Sequence, residues 1–275
     1  MPNNTIHNPE HRTPNPVLSD IHIEDIVTIA KSAGDAIMEI YNRDFQVAYK
    51  DDKSPLTEAD TKSNEIICES LANTYPNIPM LSEENKEVPF KERKNWEYYW
   101  CIDPIDGTKE FIKKNGEFTV NIALIHKDTP VLGVVYAPVL QEMYKAKKGE
   151  GAFKNSERLP LSTNTTPEKS LSVVASKSHL SKETQDFIDD LAKGTEQIAQ
   201  VSKGSSLKLV MVAEGSADIY PRLAPTMEWD TAAADAIVRE SGKMTYQYTL
   251  EPQTLNSEPL KYNKVDLLNP WFVVK

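Results

Sequence analysis

A strand that runs straight into a carboxylate limits this chain more than any other feature. Trp96-Glu97-Tyr98-Tyr99-Trp100-Cys101-Ile102 is dense in aromatic and β-branched residues and predicts a buried strand. It ends on Asp103-Pro104-Ile105-Asp106-Gly107-Thr108. Such a strand needs sheet partners, and the sequence supplies them. Phe118–His126 and Val131–Ala137 read as strands joined by Lys127-Asp128-Thr129-Pro130, and Glu142–Ala146 and Gly151–Lys154 as a further hairpin. Two helices precede them. Ile23, Ile26, Val27, Ala30, Ala33, Ile37 and Ile40 form one stripe at helical spacing, and a second helix runs from about Thr57 to Asn73.

Helices followed by consecutive hairpin strands are an α+β pattern. The second half alternates: strand Leu171–Ala175, helix Ser181–Lys193, strand Ile198–Val201, helix Ser205–Glu214, strand Asp218–Leu223, helix Asp230–Ser241. That is an α/β pattern, so the expected fold class is mixed α+β and α/β. The expected division is a polar, Pro-rich disordered leader over 1–20, an N-terminal α+β unit over 21–160, and a C-terminal α/β unit over 161–275. The seam is placed in the polar stretch Leu161–Ser170.

Length and charge narrow the function classes. A chain of 275 residues is one large domain or two joined ones. With 39% apolar residues it has enough to bury a core, yet no apolar run approaches the length of a membrane span. The leader does not read as a signal peptide. A net charge of −10, from 31 basic and 41 acidic residues, argues against a nucleic-acid polymer as partner. It leaves room for a small anion held by metal ions. Two cysteines make no disulfide framework, which points to a reducing cytoplasm.

The acidic turn carries the chemistry. Pro104 fixes its own φ, and Gly107 permits a close backbone approach or a positive φ. Thr108-Lys109-Glu110-Phe111 looks like a first helical turn, whose free N–H groups attract anions. Two carboxylates beside a helix start suit a phosphate bridged by hard cations. Asp-Pro and Asp-Gly are also ordinary turn dipeptides, and Asp106 an ordinary cap.

Three other acidic segments sit at element ends. Ser82-Glu83-Glu84 follows a short apolar stretch, Thr57-Glu58-Ala59-Asp60 opens a helix as a capping box, and Trp229-Asp230-Thr231-Ala232-Ala233 opens another with Asp230 as its N-cap. Each alone has a plain structural explanation. If Glu83, Asp103, Asp106 and Asp230 converge, they need cations, and oxygen ligands favour magnesium or calcium over zinc. Cys68, Cys101 and five scattered His offer no rival metal site, and no Walker loop or dinucleotide fingerprint is present.

These four segments, in this order, resemble the motifs of the inositol monophosphatase superfamily. Gly107–Ile112, Asn115–Leu124, Gly133–Pro138, Gly204-Ser205-Ser206-Leu207-Lys208 and Tyr220-Pro221-Arg222 are similar to its CysQ-type branch, the 3′(2′),5′-bisphosphate nucleotidases. The resemblance spans about residues 22–275. It implies a layered αβαβα sandwich and magnesium-dependent hydrolysis of adenosine 3′,5′-bisphosphate to AMP and phosphate. That activity clears a by-product of sulfate assimilation, and lithium inhibits it. The 21–160 unit would be metal-binding and the 161–275 unit substrate-binding.

The resemblance also implies a site. Glu83, Asp103 and the Ile105 carbonyl would hold one magnesium, and Asp103, Asp106 and Asp230 a second, with a third weaker ion near Glu83. Asp60, Thr108 and Glu83 would be catalytic, with Thr108, bonded to Asp60, orienting the attacking water. Ile105, Asp106, Gly107, Thr108 and Asp230 would face the scissile phosphate. Gly204, Ser205, Ser206, Lys208 and Arg222 would bind the rest of the nucleotide. The expected partner is a small nucleotide, with monomer and homodimer both open and a peripheral contact at the inner membrane face compatible with a cytoplasmic place. Two other activities fit the same chemistry, on inositol monophosphate or fructose 1,6-bisphosphate. A non-hydrolytic nucleotide-binding regulator is more distant, and the EF-hand spacing of a calcium module is absent.

Overall fold

The computed structural model describes residues 18–50, 55–161, 170–175, 180–194, 197–250 and 253–275. Most of the expected leader and nearly all of the expected seam lie outside the described residues. Within the expected leader, Leu18–Asp20 forms a 3-10 turn.

The predicted stripe drives the first helix, α1 (Ile23–Tyr41), whose Ile26, Ala30, Ala33, Ile37 and Ile40 are all buried. Strands β1 (Val47–Tyr49) and β2 (Pro55–Thr57) pair antiparallel, and β2 runs directly into α2 (Glu58–Thr74). β3 (Met80–Ser82) and the short α3 (Phe90–Arg93) precede β4 (Tyr98–Asp106). After α4 (Thr108–Ile112) come β5 (Thr119–His126), β6 (Thr129–Ala137), β7 (Glu142–Lys147), β8 (Gly151–Lys154) and β9 (Glu157–Arg158). β3 to β9 form one sheet in sequence order, antiparallel except for the β3–β4 pair.

The second half continues with β10 (Ser170–Ala175), α5 (Lys182–Ala192), β11 (Gln197–Ser202), α6 (Leu207–Glu214), β12 (Tyr220–Arg222) and α7 (Glu228–Glu240). β10 and β11 are parallel, as the alternating pattern predicts. The chain then adds β13 (Thr245–Leu250), β14 (Gln253–Pro259) and β15 (Phe272–Val274), which join β12 in an antiparallel sheet ordered β12-β15-β13-β14. The structure adds the β13–β14 hairpin and the β1–β2 pair, neither of which is predicted from the sequence. β1 and β2 have three residues each, too few to show a period, whereas β13 does alternate, with Tyr246, Tyr248 and Leu250 between Thr245, Gln247 and Thr249.

Alternation along β4 sorts its side chains between two cores. Trp100 and Ile102 pack with the α1–α2 layer, while Tyr99 and Cys101 pack with α6 and α7. Both faces of the seven-stranded sheet are therefore covered, which is why β4 and β5 read as nearly continuous apolar runs. A third cluster seats Ile188 of α5 against Val173 and Val273. The layers run α1–α2, seven-stranded sheet, α6–α7, C-terminal strands, α5. Asp103 continues the Tyr99, Cys101 parity, and so lies on the α7 side.

Candidate active site

The carboxylate turn is built by a break in sheet register. Asp103 pairs with Asn121 and Asp106 with Thr119, so β4 takes three steps where β5 takes two. One extra residue makes a β-bulge, which turns side chains off the normal alternation. Pro104 sits in the bulge and has no N–H to leave unpaired. Its carbonyl accepts from Ser63 of α2 at 2.9 Å, and Ile105 N–H donates to Asp103 Oδ1 at 3.1 Å. Gly107 then takes φ of 96°, a left-handed conformation, and opens α4.

Asp60 enters from α2. Its Oδ2 accepts from the Thr57 N–H at 2.7 Å and the Thr57 hydroxyl at 2.6 Å, the reciprocal cap that the sequence predicts. Its Oδ1 accepts from the Thr108 hydroxyl at 3.1 Å. The cap and the Thr108 contact use different oxygens of one carboxylate. Burial pushes the Asp60 carboxyl up.

Glu83 stands just beyond β3, fixed by its N–H donating to Ile102 O at 3.2 Å. Its carboxylate pairs with Lys50 at 2.9 Å, and Lys50 also reaches Glu84 at 2.6 Å. Burial works against the Lys50 charge, but Glu83 and Glu84 outweigh it and push its pKa up. The sequence reading did not foresee this lysine.

Asp230 comes from α7. The helix starts two residues earlier than expected, so Asp230 is not the N-cap. It sits in the first turn and accepts the Met227 N–H at 2.8 Å. Glu83, Asp106, Gly107, Thr108 and Asp230 line one cavity of about 240 Å³ with Gly204, Ser205, Lys208 and Arg222. Its lining carries both signs of charge, with Glu83, Asp106 and Asp230 beside Lys208 and Arg222.

The acidic group is electrostatically strained. Asp103, 1% exposed just behind the wall, is held well above the usual carboxylate range by burial and by Glu83, Asp106 and Asp230. Burial raises Asp106 to about 6 against the pull of Lys208, and burial with Asp106 raises Asp230 to about 8. Among the cations, burial lowers Lys208 to about 8 despite Asp106. Its ammonium donates to Ser205 O at 2.6 Å. Ser205 has φ of 47°, and its hydroxyl and Arg222 Nε are buried with no hydrogen-bond partner among the described residues. Unpaired buried donors beside a cavity are costly unless a ligand satisfies them.

Four of the expected site residues do not line the cavity: Asp60, held against Thr57 and Thr108, Asp103 behind the wall, Ile105 and Ser206. Ile105 packs its side chain into the α1–α2 core, and Ser206, 1% exposed, turns its hydroxyl to Thr119 and Asn121. Conversely, Glu110, Glu117 and Lys203 line the cavity without being expected there, and so does Tyr220, which like Glu110 and Glu117 is matched only as part of a motif. Their charges and aromatic ring carry no signal in a single sequence.

The donor set fits a hard cation: carboxylates from three segments (Glu83, Asp103 with Asp106, and Asp230) and the carbonyl of the bulge. Among the described residues, no three acidic, His or Cys side chains already stand close enough together to form a cage. The carboxylates are instead engaged with protein partners, Glu83 with Lys50 and Asp106 with the Ser206 N–H.

A model of the inositol monophosphatase family matches residues 22–268. The 3′(2′),5′-bisphosphate nucleotidase CysQ of Salmonella typhimurium is 43% identical over 254 residues, covering 92% of this chain and 98% of that protein. The protein of the same name from Escherichia coli K12 is 40% identical over 255 residues, with coverage of 92% and 98%. Among solved structures, CysQ from Bacteroides thetaiotaomicron, described as a bacterial member of the inositol monophosphatase family, is 45% identical with a TM-score of 0.81, covering 92% of this chain and 96% of that one. An IMPase from Thermotoga maritima is 25% identical with a TM-score of 0.72, covering 92% and 91%.

Proposed function

Because the chain belongs to the inositol monophosphatase family, we propose that its cavity hydrolyses adenosine 3′,5′-bisphosphate to AMP and phosphate. The observation that carries this reading is that one cavity is lined both by the carboxylates Asp106 and Asp230 and by the cations Lys208 and Arg222. The enzyme is a phosphatase. The carboxylates take a phosphate only with cations between. The basic residues take one directly, through Lys208, Arg222 and the unpaired Ser205 hydroxyl. A nucleotide with phosphates on both sides of its ribose matches both sets.

Glu83, Asp103, the Ile105 carbonyl, Asp106 and Asp230 would hold magnesium, two or three ions in all. When bound, magnesium supplies positive charge to the phosphoryl group and makes a water nucleophilic. The protein residues do the rest. The Thr108 hydroxyl gives its hydrogen to Asp60, which leaves a lone pair to accept from water and points it at phosphorus. Asp60 is the sink for the proton that the water loses. The amides of Gly107 and Thr108 would hold the phosphoryl oxygens as preorganised dipoles. Arg222, anchored by its donation to Pro225 O at 2.8 Å, would fix the remaining phosphate. Gly204, Ser205 and Lys208 complete the contacts to it, while Ser206 supports them from behind.

The N-terminal unit would supply Glu83, Asp103, Ile105 and Asp106, and the C-terminal unit Asp230 together with the nucleotide-binding residues. No helix of the described residues is long and apolar enough to cross a membrane. A cytoplasmic place for the enzyme is part of the same proposal.

The test is phosphate release with magnesium from adenosine 3′,5′-bisphosphate, inositol monophosphate and fructose 1,6-bisphosphate side by side. The first should be fastest, and faster release from inositol phosphate would overturn the substrate. Asp106→Asn should lose about 10²–10³-fold in kcat, the loss typical of removing one group that stabilises transition-state charge. Equal rates for wild type and Asp106→Asn would remove the metal assignment.

A further inference from the structure

Behind the cavity wall lies a chain of buried hydroxyl and amide groups that the reaction described above does not use. The Ser206 hydroxyl lies 2.9 Å from Asn121 Oδ1 and 2.8 Å from Thr119 Oγ1. Valence fixes the direction of these bonds. A serine hydroxyl has one hydrogen, and an amide oxygen only accepts. The Ser206 hydrogen therefore goes to Asn121, and Thr119 donates to Ser206. The orientation of the Asn121 amide is set by Asp106: its carboxylate only accepts, so Oδ1 of Asn121 is the atom turned to Ser206 and Nδ2 the atom turned to Asp106 Oδ2, 3.5 Å away. The same carboxylate oxygen accepts the Ser206 backbone N–H in a close contact. Thr119, Asn121 and Ser206 are 0%, 1% and 1% exposed, so water does not compete for these bonds.

We propose that Asn121 is a positioning residue for Asp106. Donors run in one direction, from Thr119 to Ser206 to Asn121 to Asp106, and all of them end on Oδ2. Oδ1 is thereby the oxygen offered to a cation. The direct Asn121–Asp106 contact is long, so most of the hold is indirect. Asn121 keeps Ser206 in place, and the Ser206 N–H makes the close bond to the carboxylate. Hydrogen bonds to a charged acceptor are stronger than neutral ones, which lets this small junction fix the rotamer. Ser206 also opens α6, two residues before Lys208. The junction thus ties the metal-binding part of the cavity, on β4, to its anion-binding part, on α6.

The inference rests on Asp106 being a magnesium ligand, and the experiment separates the two claims. Magnesium alone is titrated calorimetrically into the metal-stripped, full-length protein: wild type, Asp106→Asn, Asn121→Leu, Asn121→Ala and Ser206→Ala. Melting temperature in chelator is measured for each. Both Asn121 variants should bind magnesium about 10–100-fold more weakly, the usual cost of losing a partner of a metal-binding carboxylate. Their kcat should recover as magnesium is raised, while KM for the nucleotide moves little. Ser206→Ala keeps its backbone N–H and should fall between wild type and Asn121→Leu.

A purely structural role would lower melting temperature and leave magnesium affinity untouched. Folded Asn121 variants with wild-type magnesium affinity, beside an Asp106→Asn that has lost it, would overturn the positioning role alone. Wild-type affinity in Asp106→Asn would instead remove the ligand assignment. If neither Asn121 variant folds, Ser206→Ala decides, and unchanged magnesium affinity in it sinks the inference.

Discussion

Asp60 shows how a structural and a catalytic role share one side chain. Its Oδ2 closes the cap of α2, and its Oδ1 takes the Thr108 hydrogen. The sequence motif of a capping box is therefore correct and incomplete. Lys208 gives the clearest pH prediction at this scale. Burial lowers its pKa to about 8. Below that pH the ammonium is charged and holds an anion, and above it the charge is lost. KM for the nucleotide should therefore rise on the alkaline side of pH 8, and Lys208→Arg should remove that limb, because a guanidinium stays charged. A pH profile of KM measures this. A wild-type KM that stays flat through the alkaline range argues against Lys208 as an anion partner.

At the scale of elements, the site depends on how closely α7 lies on the seven-stranded sheet. Gly133 on β6 faces this helix, and a Cβ there would stand 2.1 Å from the carbonyl oxygen of Ala233. The clash is with backbone, so no side-chain adjustment relieves it. Gly133→Ala should push α7 away and destabilise the protein by about 3 kcal/mol or more, the upper end for overpacking. The urea midpoint checks this. Since α7 carries Asp230, magnesium affinity should fall with it. Unchanged stability in Gly133→Ala would mean that α7 sits farther from β6 than described. The bulge at Pro104-Ile105 is the other element-scale device, for it turns Asp106 to the same side as Asp103, toward α7 and the cavity.

Across the whole molecule, the acidic ligands come from just beyond β3, from β4 and from α7, so bound cations tie distant segments together. Magnesium should then stabilise the fold as well as permit turnover. At a concentration of about 100 times Kd, the linkage is worth about 2.7 kcal/mol. A thermal melt with and without chelator reads this, and Asp230→Asn should shrink the shift. A chelator should abolish activity and magnesium restore it. Excess calcium should inhibit, since it is larger and accepts looser geometry. An identical melting temperature with and without magnesium would count against the shared cation site.

The sequence by itself determined the two long N-terminal helices, the hairpin strands after Trp96 and the order of the acidic segments. These are local matters, set by apolar spacing, by turn residues and by which side chains cap a helix. The matched motifs also carried the family. Tertiary structure alone decided what lies next to what. It placed Asp230 of α7 across from Asp106, paired Lys50 with Glu83, and turned Ser206 inward onto Asn121 while leaving Ser205 facing the cavity. The physical reason is that sheet register and helix docking are fixed by packing between segments far apart in the chain, and such packing leaves no period or spacing in the chain to read.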